Sequence, residues 1–217
     1  MFQSFFYVCI LQINIIMTRT QKSLITIFSV LLIDQAVKIW IKTNMMLGQE
    51  YKVFDDWFII HFTENNGMAF GMEFWGVYGK IALSIFRILA VTGIGYYLYT
   101  LIKKKEKTGY IISISLILAG ALGNIIDSAF YGMIFNDSFM QVASLFPEGG
   151  GYSSFLHGKV VDMFYFPIAQ GTYPSWFPFN ANEPFIFFRP VFNIADSAIS
   201  IGVAIIILFQ RKFFLKK

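Results

Sequence analysis

The sequence is short of charge, cysteine and histidine. Only 14% of its 217 residues are Asp, Glu, Lys or Arg, against 56% hydrophobic ones, whereas a globular domain carries about 25% charged residues. Too little polar surface is left to coat a chain of this size in water, so the sequence belongs in a membrane. The single cysteine, Cys9, excludes a disulfide framework within the chain and any multi-cysteine metal site. His61 and His157 lie far apart on different segments, which argues against a histidine metal centre. A net charge of +4 is modest for a nucleic-acid binder. No arrangement of Ser or Cys with a base suggests a covalent nucleophile, and no internal repeat is visible.

What is present is apolar and helical. Four segments, 24–41, 81–102, 110–126 and 191–209, approach the ~20 residues that a bilayer core of ~30 Å demands of a helix. Basic residues gather at Arg19 and Lys22, at Lys103, Lys104, Lys105 and Lys107, and at Arg211, Lys212, Lys216 and Lys217. With four spans all three clusters share one side, which the positive-inside rule makes the cytoplasm. Both termini are then inside, the second and third spans form a tight hairpin, and segments 42–80 and 132–190 lie outside. Residues 51–63, rich in aromatic and β-branched types and followed by the turn signal Glu64-Asn65-Asn66-Gly67, predict short strands on the outer surface. Stretches 147–151 and 173–179 predict loop with interfacial aromatics. Residues 1–16 are apolar but lack a preceding basic region, and Met17 is an expected alternative start.

Ionisable groups in spans cost on the order of 2.5 to 3.5 kcal/mol each on insertion scales, so each marks a candidate site. Asp34 and Lys38 are spaced to share one face of the first span, as an interfacial ion pair or as joint holders of a polar ligand. Gly120, Gly123, Asn124 and Asp127 share a face of the third, where the glycines permit close helix approach. Asp196 follows Asn193 in the first turn of the fourth, either as a helix cap or as a functional acid. Asp162 interrupts an apolar run on the same side of the membrane. Two carboxylates facing one surface suggest a dyad, because in a low-dielectric site two close carboxylates share one proton. The ionised member takes a proton from water while the other protonates a scissile carbonyl. An alternative is a proton-coupled transporter with Asp34, Asp127 and Asp196 as relay. Another is a scaffold without enzymatic activity. Arg87, mid-span in the second helix, fits no motif.

Five motifs, Ile33-Asp34-Gln35 with Lys38, Glu64-Asn65-Asn66-Gly67-Met68-Ala69-Phe70-Gly71, Gly123-Asn124-Ile125-Ile126-Asp127, Val160-Val161-Asp162-Met163-Phe164 and Phe192-Asn193-Ile194-Ala195-Asp196-Ser197, occur in that order. Together they resemble the signature of lipoprotein signal peptidase, or signal peptidase II, from about Thr18 to the C-terminus. The resemblance implies a single-domain, all-α membrane protein over residues 1–217, with four transmembrane helices, both termini inside, a small β-cradle and an extended loop on the periplasmic side. It implies a monomeric aspartic peptidase of the bacterial inner membrane, active toward the periplasm, needing no cofactor or metal. Its partners would be diacylglyceryl-modified prolipoproteins, cut before the lipidated cysteine, and membrane lipids, with no nucleic acid. Asp162 and Asp196 match the catalytic pair. Asp34, Lys38, Asn65, Gly67, Asn124, Asp127, Asn193 and Ala195 match positions that bind substrate or support the site. Two departures stand out: Ser128 replaces an Arg usual after Asp127, and insertions at 135–158 and 169–188 lengthen the outer segments, as a lid, a partner surface or tolerated loop.

Overall fold

The computed structural model describes residues 17–66, 76–167, 169–178, 181–187 and 190–214. The first 16 residues and Gly67 lie outside them. Among the described residues four helices are long and apolar enough to cross a membrane: α1 (Arg19–Asn44), α2 (Gly76–Lys103), α3 (Thr108–Ile126) with a π-helical turn (Asp127–Tyr131) and a last α-turn (Gly132–Ile134), and α4 (Ile194–Phe214). Thr18 starts α1 with a capping box: its hydroxyl accepts from Gln21 N at 3.2 Å, and the Gln21 side chain accepts from Thr18 N at 2.8 Å. At 26 residues α1 is about 39 Å long, so its last turns rise past a ~30 Å hydrocarbon core.

α3 lies at the centre, packed on α1, α2 and α4. The expectation of close approach along its glycine face holds. A Cβ on Gly120 would fall 2.2 Å from Ala195 O, and one on Gly123 would fall 2.7 Å from the Asp34 carboxylate. Only glycine lets α4 and the first-helix acid come this near.

The strands are β1 (Glu50–Phe54), β2 (Phe58–Asn65), β3 (Val160–Tyr165), β4 (Ala169–Thr172), β5 (Pro184–Phe187) and β6 (Val191–Phe192). β1, β2, β3 and β6 form one antiparallel sheet in that order, and β4 and β5 form a separate hairpin. The chain is mostly helical rather than all-α. Val191 and Phe192, expected to open the fourth span, instead pair with Tyr165 and Phe164. Their apolar character suits either environment, and the Asn193 cap decides where the helix begins. The β4–β5 hairpin lies in a stretch expected to be loop.

The sheet seats on the C-terminal end of α1 and the last turns of α3 through a core of Ile41, Met45, Phe62, Tyr131, Phe135, Ala143, Val161 and Met163. Phe135 and Ala143 belong to the first insertion, so that segment is part of the core rather than a loose elaboration. Aromatic side chains stack across the sheet, with Phe58 and Phe166 ring centroids 4.7 Å apart and Phe166 against Phe192 at 5.8 Å.

Candidate active site

Three helices and two strands bring their polar residues to one place, where the helix ends meet the sheet. α1 supplies Asp34, Gln35 and Lys38. All of Asp34 and Lys38 is buried, so the pair is internal and does not reach up to the interface. The Lys38 ammonium has three protons and three acceptors: Asp34 Oδ2 at 3.0 Å, Asp127 Oδ2 at 2.8 Å and Asn124 Oδ1 at 2.9 Å. A buried charge is tolerable only when paired and fully hydrogen-bonded, and this one is.

Each carboxylate of that cluster also fixes backbone. Asp34 Oδ1 accepts from Ala195 N at 2.9 Å and so caps the first turn of α4 from a different helix. Asp127 Oδ2 accepts from Val161 N at 3.2 Å, tying β3 down one residue before Asp162. Asp127 stands at the start of the π-helical turn, a local widening that often accompanies functional sites. Gln35 completes the group by donating to Asp127 Oδ1 at 2.9 Å and to Asp34 Oδ2 at 3.1 Å. Its role was not anticipated, although an amide within an apolar span was the available signal.

Asp162 and Asp196 are supported differently. Asp162 Oδ1 accepts from Asn193 Nδ2 at 2.7 Å, and its other oxygen accepts from Asn65 Nδ2. Asp196 Oδ1 accepts from Asn124 Nδ2 at 2.8 Å, and Oδ2 from Asn193 N at 3.3 Å. Asn193 Oδ1 in turn accepts from Asp196 N at 2.9 Å. Asp196 is thus both a partner in the α4 cap and a carboxylate facing the site, so the two alternatives for it are not exclusive. Asn193 Nδ2 also reaches Asn124 Oδ1 at 3.1 Å, which joins the two acids through a pair of amides. Burial, and then the neighbouring Asp196 charge, push the Asp162 carboxyl up to about 7.

The structure therefore brings together Asp34, Lys38, Asn65, Asn124, Asp127, Asp162, Asn193 and Ala195 with Asp196. Ala195 takes part through its backbone N–H and a side chain small enough to lie beside Gly123. Arg87 Nη1 approaches Ser128 Oγ at 3.4 Å, which places a guanidinium beside the position where arginine was expected and serine stands. His61 pairs with Glu50 at 3.0 Å and His157 contacts Ser154, both away from this network.

A second buried lysine anchors the first insertion. Lys42 donates to Glu64 and, at 2.8 Å, to Ser138 Oγ, and its ammonium faces the rings of Phe62, Phe135 and Tyr152 at 5.9, 5.4 and 5.0 Å. Lys159 reaches Glu64 at 3.6 Å and Asp137 at 3.8 Å.

Acids and amides are buried where apolar helices meet a small sheet, the arrangement of a polar site within a membrane protein. Comparison with known proteins makes the class specific. The family model for signal peptidase (SPase) II matches residues 26–212, and the chain belongs to that family: it is a transmembrane protease. The lipoprotein signal peptidase of Porphyromonas gingivalis is 54% identical over 179 residues, covering 82% of this chain and 77% of its own. That of Amoebophilus asiaticus is 40% identical over 182 residues, covering 82% and 73%. A solved bacterial membrane enzyme, determined by the in meso method, aligns over 90% of this chain and 92% of its own with a TM-score of 0.56 and 26% identity. Membership of a protease family displaces the transporter and scaffold readings.

Proposed function

We propose that this chain is an aspartic endopeptidase of the bacterial inner membrane that removes signal peptides from diacylglyceryl-modified prolipoproteins, cutting before the lipidated cysteine. The observation that carries the reading is the contrast within one buried cluster. Asp34 and Asp127 share the Lys38 ammonium, while Asp162 and Asp196 are held by amides and share a site in which Asp162 keeps its proton to about pH 7.

In the reaction Asp162 is the acid and Asp196 the base. The Asp196 carboxylate lies in the first turn of α4, where the positive end of the helix favours negative charge. It takes a proton from water as the water oxygen attacks the scissile carbonyl carbon, and Asp162 gives its proton to the carbonyl oxygen. The resulting gem-diol loses a proton back to Asp162, and its C–N bond breaks. The departing amine, which carries the lipidated cysteine, receives the proton held by Asp196. Asn65, Asn124 and Asn193 hold the two acids in register, and Asp34, Lys38 and Asp127 brace the elements that carry them. Gly67 is assigned to the substrate-binding set with them.

The three basic clusters support an orientation with both termini in the cytoplasm and the sheet and site on the periplasmic face. Residues 1–217 act as one peptidase domain, as a monomer in contact with membrane lipids. The test is cleavage by the purified, reconstituted full chain of a prolipoprotein with and without its diacylglyceryl group. Cleavage of the lipidated form alone is expected. Equal cleavage of both forms contradicts lipid-dependent recognition, and no cleavage of several lipidated precursors contradicts the function.

A further inference from the structure

Arg87 is a cation in the middle of an apolar helix, and neither the Lys38 cluster nor the proposed chemistry uses it. Such a charge is costly in a bilayer unless it faces partners inside the protein. Its guanidinium reaches toward the turn of α3 that carries the site: Nη1 lies 3.4 Å from Ser128 Oγ, and that hydroxyl donates to Asn124 O at 3.0 Å. Ser128 is 4% exposed. The carboxylates that attract the Arg87 charge are Asp196, then Asp127 and Asp162, which include both members of the dyad.

The charge balance of the cluster shows what this cation does. α1 contributes Asp34 and Lys38, α3 contributes Asp127, β3 contributes Asp162 and α4 contributes Asp196. Lys80, two turns before Arg87 on α2, donates to Asn66 and to the His157 carbonyl. Glu64 on β2 is taken by Lys42 and Lys159. With one proton on the dyad, the five groups of the Asp34, Lys38, Asp127, Asp162 and Asp196 cluster carry two net negative charges. Arg87 brings them to one. We propose that Arg87 is a positioning residue that acts as counter-cation to the dyad, setting the pH range over which Asp162 and Asp196 hold one proton between them. Since Ser128 is the side chain the guanidinium approaches, an arginine at 128 on the facing helix delivers the same charge to the same space.

This inference rests on the dyad reading and is tested beside it. The experiment is the pH profile of kcat/KM for cleavage of a diacylglyceryl-modified prolipoprotein by the reconstituted full chain, in wild type, Arg87→Lys, Arg87→Gln and Arg87→Gln with Ser128→Arg. Removing a nearby positive charge makes the dyad bind its protons more tightly. Folded Arg87→Gln should therefore show both limbs of the kcat/KM profile displaced upward by about one pH unit, so that activity falls by up to about 10-fold on the acid side and extends further on the alkaline side. Arg87→Lys should keep the limbs in place, and the charge swap should return them to near the wild-type positions. A purely structural Arg87 does not move a pH limb and is not rescued from position 128. Unchanged limbs in folded Arg87→Gln, or a swap whose limbs stay displaced as in the single variant, overturns the proposal. If Arg87→Gln does not accumulate, the swap decides alone: a folded, active double variant with wild-type limbs is expected, and an inactive one overturns the idea. Cleavage surviving in Asp162→Asn or Asp196→Asn sinks the dyad itself and this inference with it, and is recognised in those variants whatever the Arg87 profiles do.

Discussion

Two pairs of carboxylates occupy the same buried region and are held by different partners. Asp34 and Asp127 bracket the Lys38 ammonium at 3.0 and 2.8 Å; Asp34 Oδ1 also receives the Ala195 N–H, Asp127 Oδ1 the Gln35 amide, and Asp127 Oδ2 the Val161 N–H. Asp162 and Asp196 receive amide N–H groups from Asn65, Asn193 and Asn124. A lysine partner favours the ionised form and makes a carboxylate a fixed strut. Neutral amide donors orient a carboxylate without settling its charge, so it remains free to take and give a proton. In the proposed reaction it is the choice of partner that separates support from chemistry.

The sharpest way to break the comparison is to remove one member of each pair. Asp162→Asn or Asp196→Asn should leave a folded protein that cleaves lipidated precursor at least about 10²- to 10⁴-fold more slowly, the usual worth of a general acid or base, as measured by single-turnover cleavage. The strut should respond in the other observable. Lys38→Met leaves two buried carboxylates uncompensated and should cost about 3 to 5 kcal/mol in reversible unfolding in bicelles.

A somewhat smaller effect separates the pairs by pH. The Asp162 carboxyl is raised in the folded state to about 7, so folding favours its protonated form. The stability this gives is complete below an unfolded value of about 4 and is lost as pH rises through about 7, a total of about 4 kcal/mol at most. Unfolding measured across that interval should show wild type weakening as pH rises, and Asp162→Asn should lack that part of the slope. At the low end, Lys52→Ala removes an exposed pair with Asp56 at the tip of the β1–β2 hairpin. It should change neither the unfolding midpoint nor cleavage, because exposed ion pairs contribute little.

Much of this arrangement was legible in the sequence, for physical reasons that particular residues show. Apolar runs of bilayer length announce helices, and Asp34, Lys38, Asn124, Asp127 and Asp196 announce themselves because polar groups are expensive there. The glycine spacing at Gly120 and Gly123 was readable as close approach, since few other reasons place two small residues on that face. Other features were hidden. Val191 and Phe192 have the same apolar character in β6 as they would have in a span, so hydropathy does not locate the helix start, whereas the Asn193 and Asp196 cap does. The insertion at 135–158 gave no sign that Phe135 and Ala143 would join the core, because the contacts come from α1 and β2, far away in sequence. Gln35 and Arg87 were visible as polar residues in spans, but their partners at Asp127 and Ser128 depend on how the helices pack.

The most direct test of the division between the pairs is infrared difference spectroscopy of the protonated carboxyl C=O stretch in the reconstituted protein, titrated from about pH 5 to about pH 9. Wild type, Asp162→Asn, Asp196→Asn, Asp34→Asn and Asp127→Asn would be compared. A band that titrates near 7, is lost or displaced in Asp162→Asn and Asp196→Asn, and persists when Asp34 or Asp127 is changed is the predicted result. A band that survives Asp162→Asn and disappears with Asp127→Asn would place the labile proton on the strut and contradict the account.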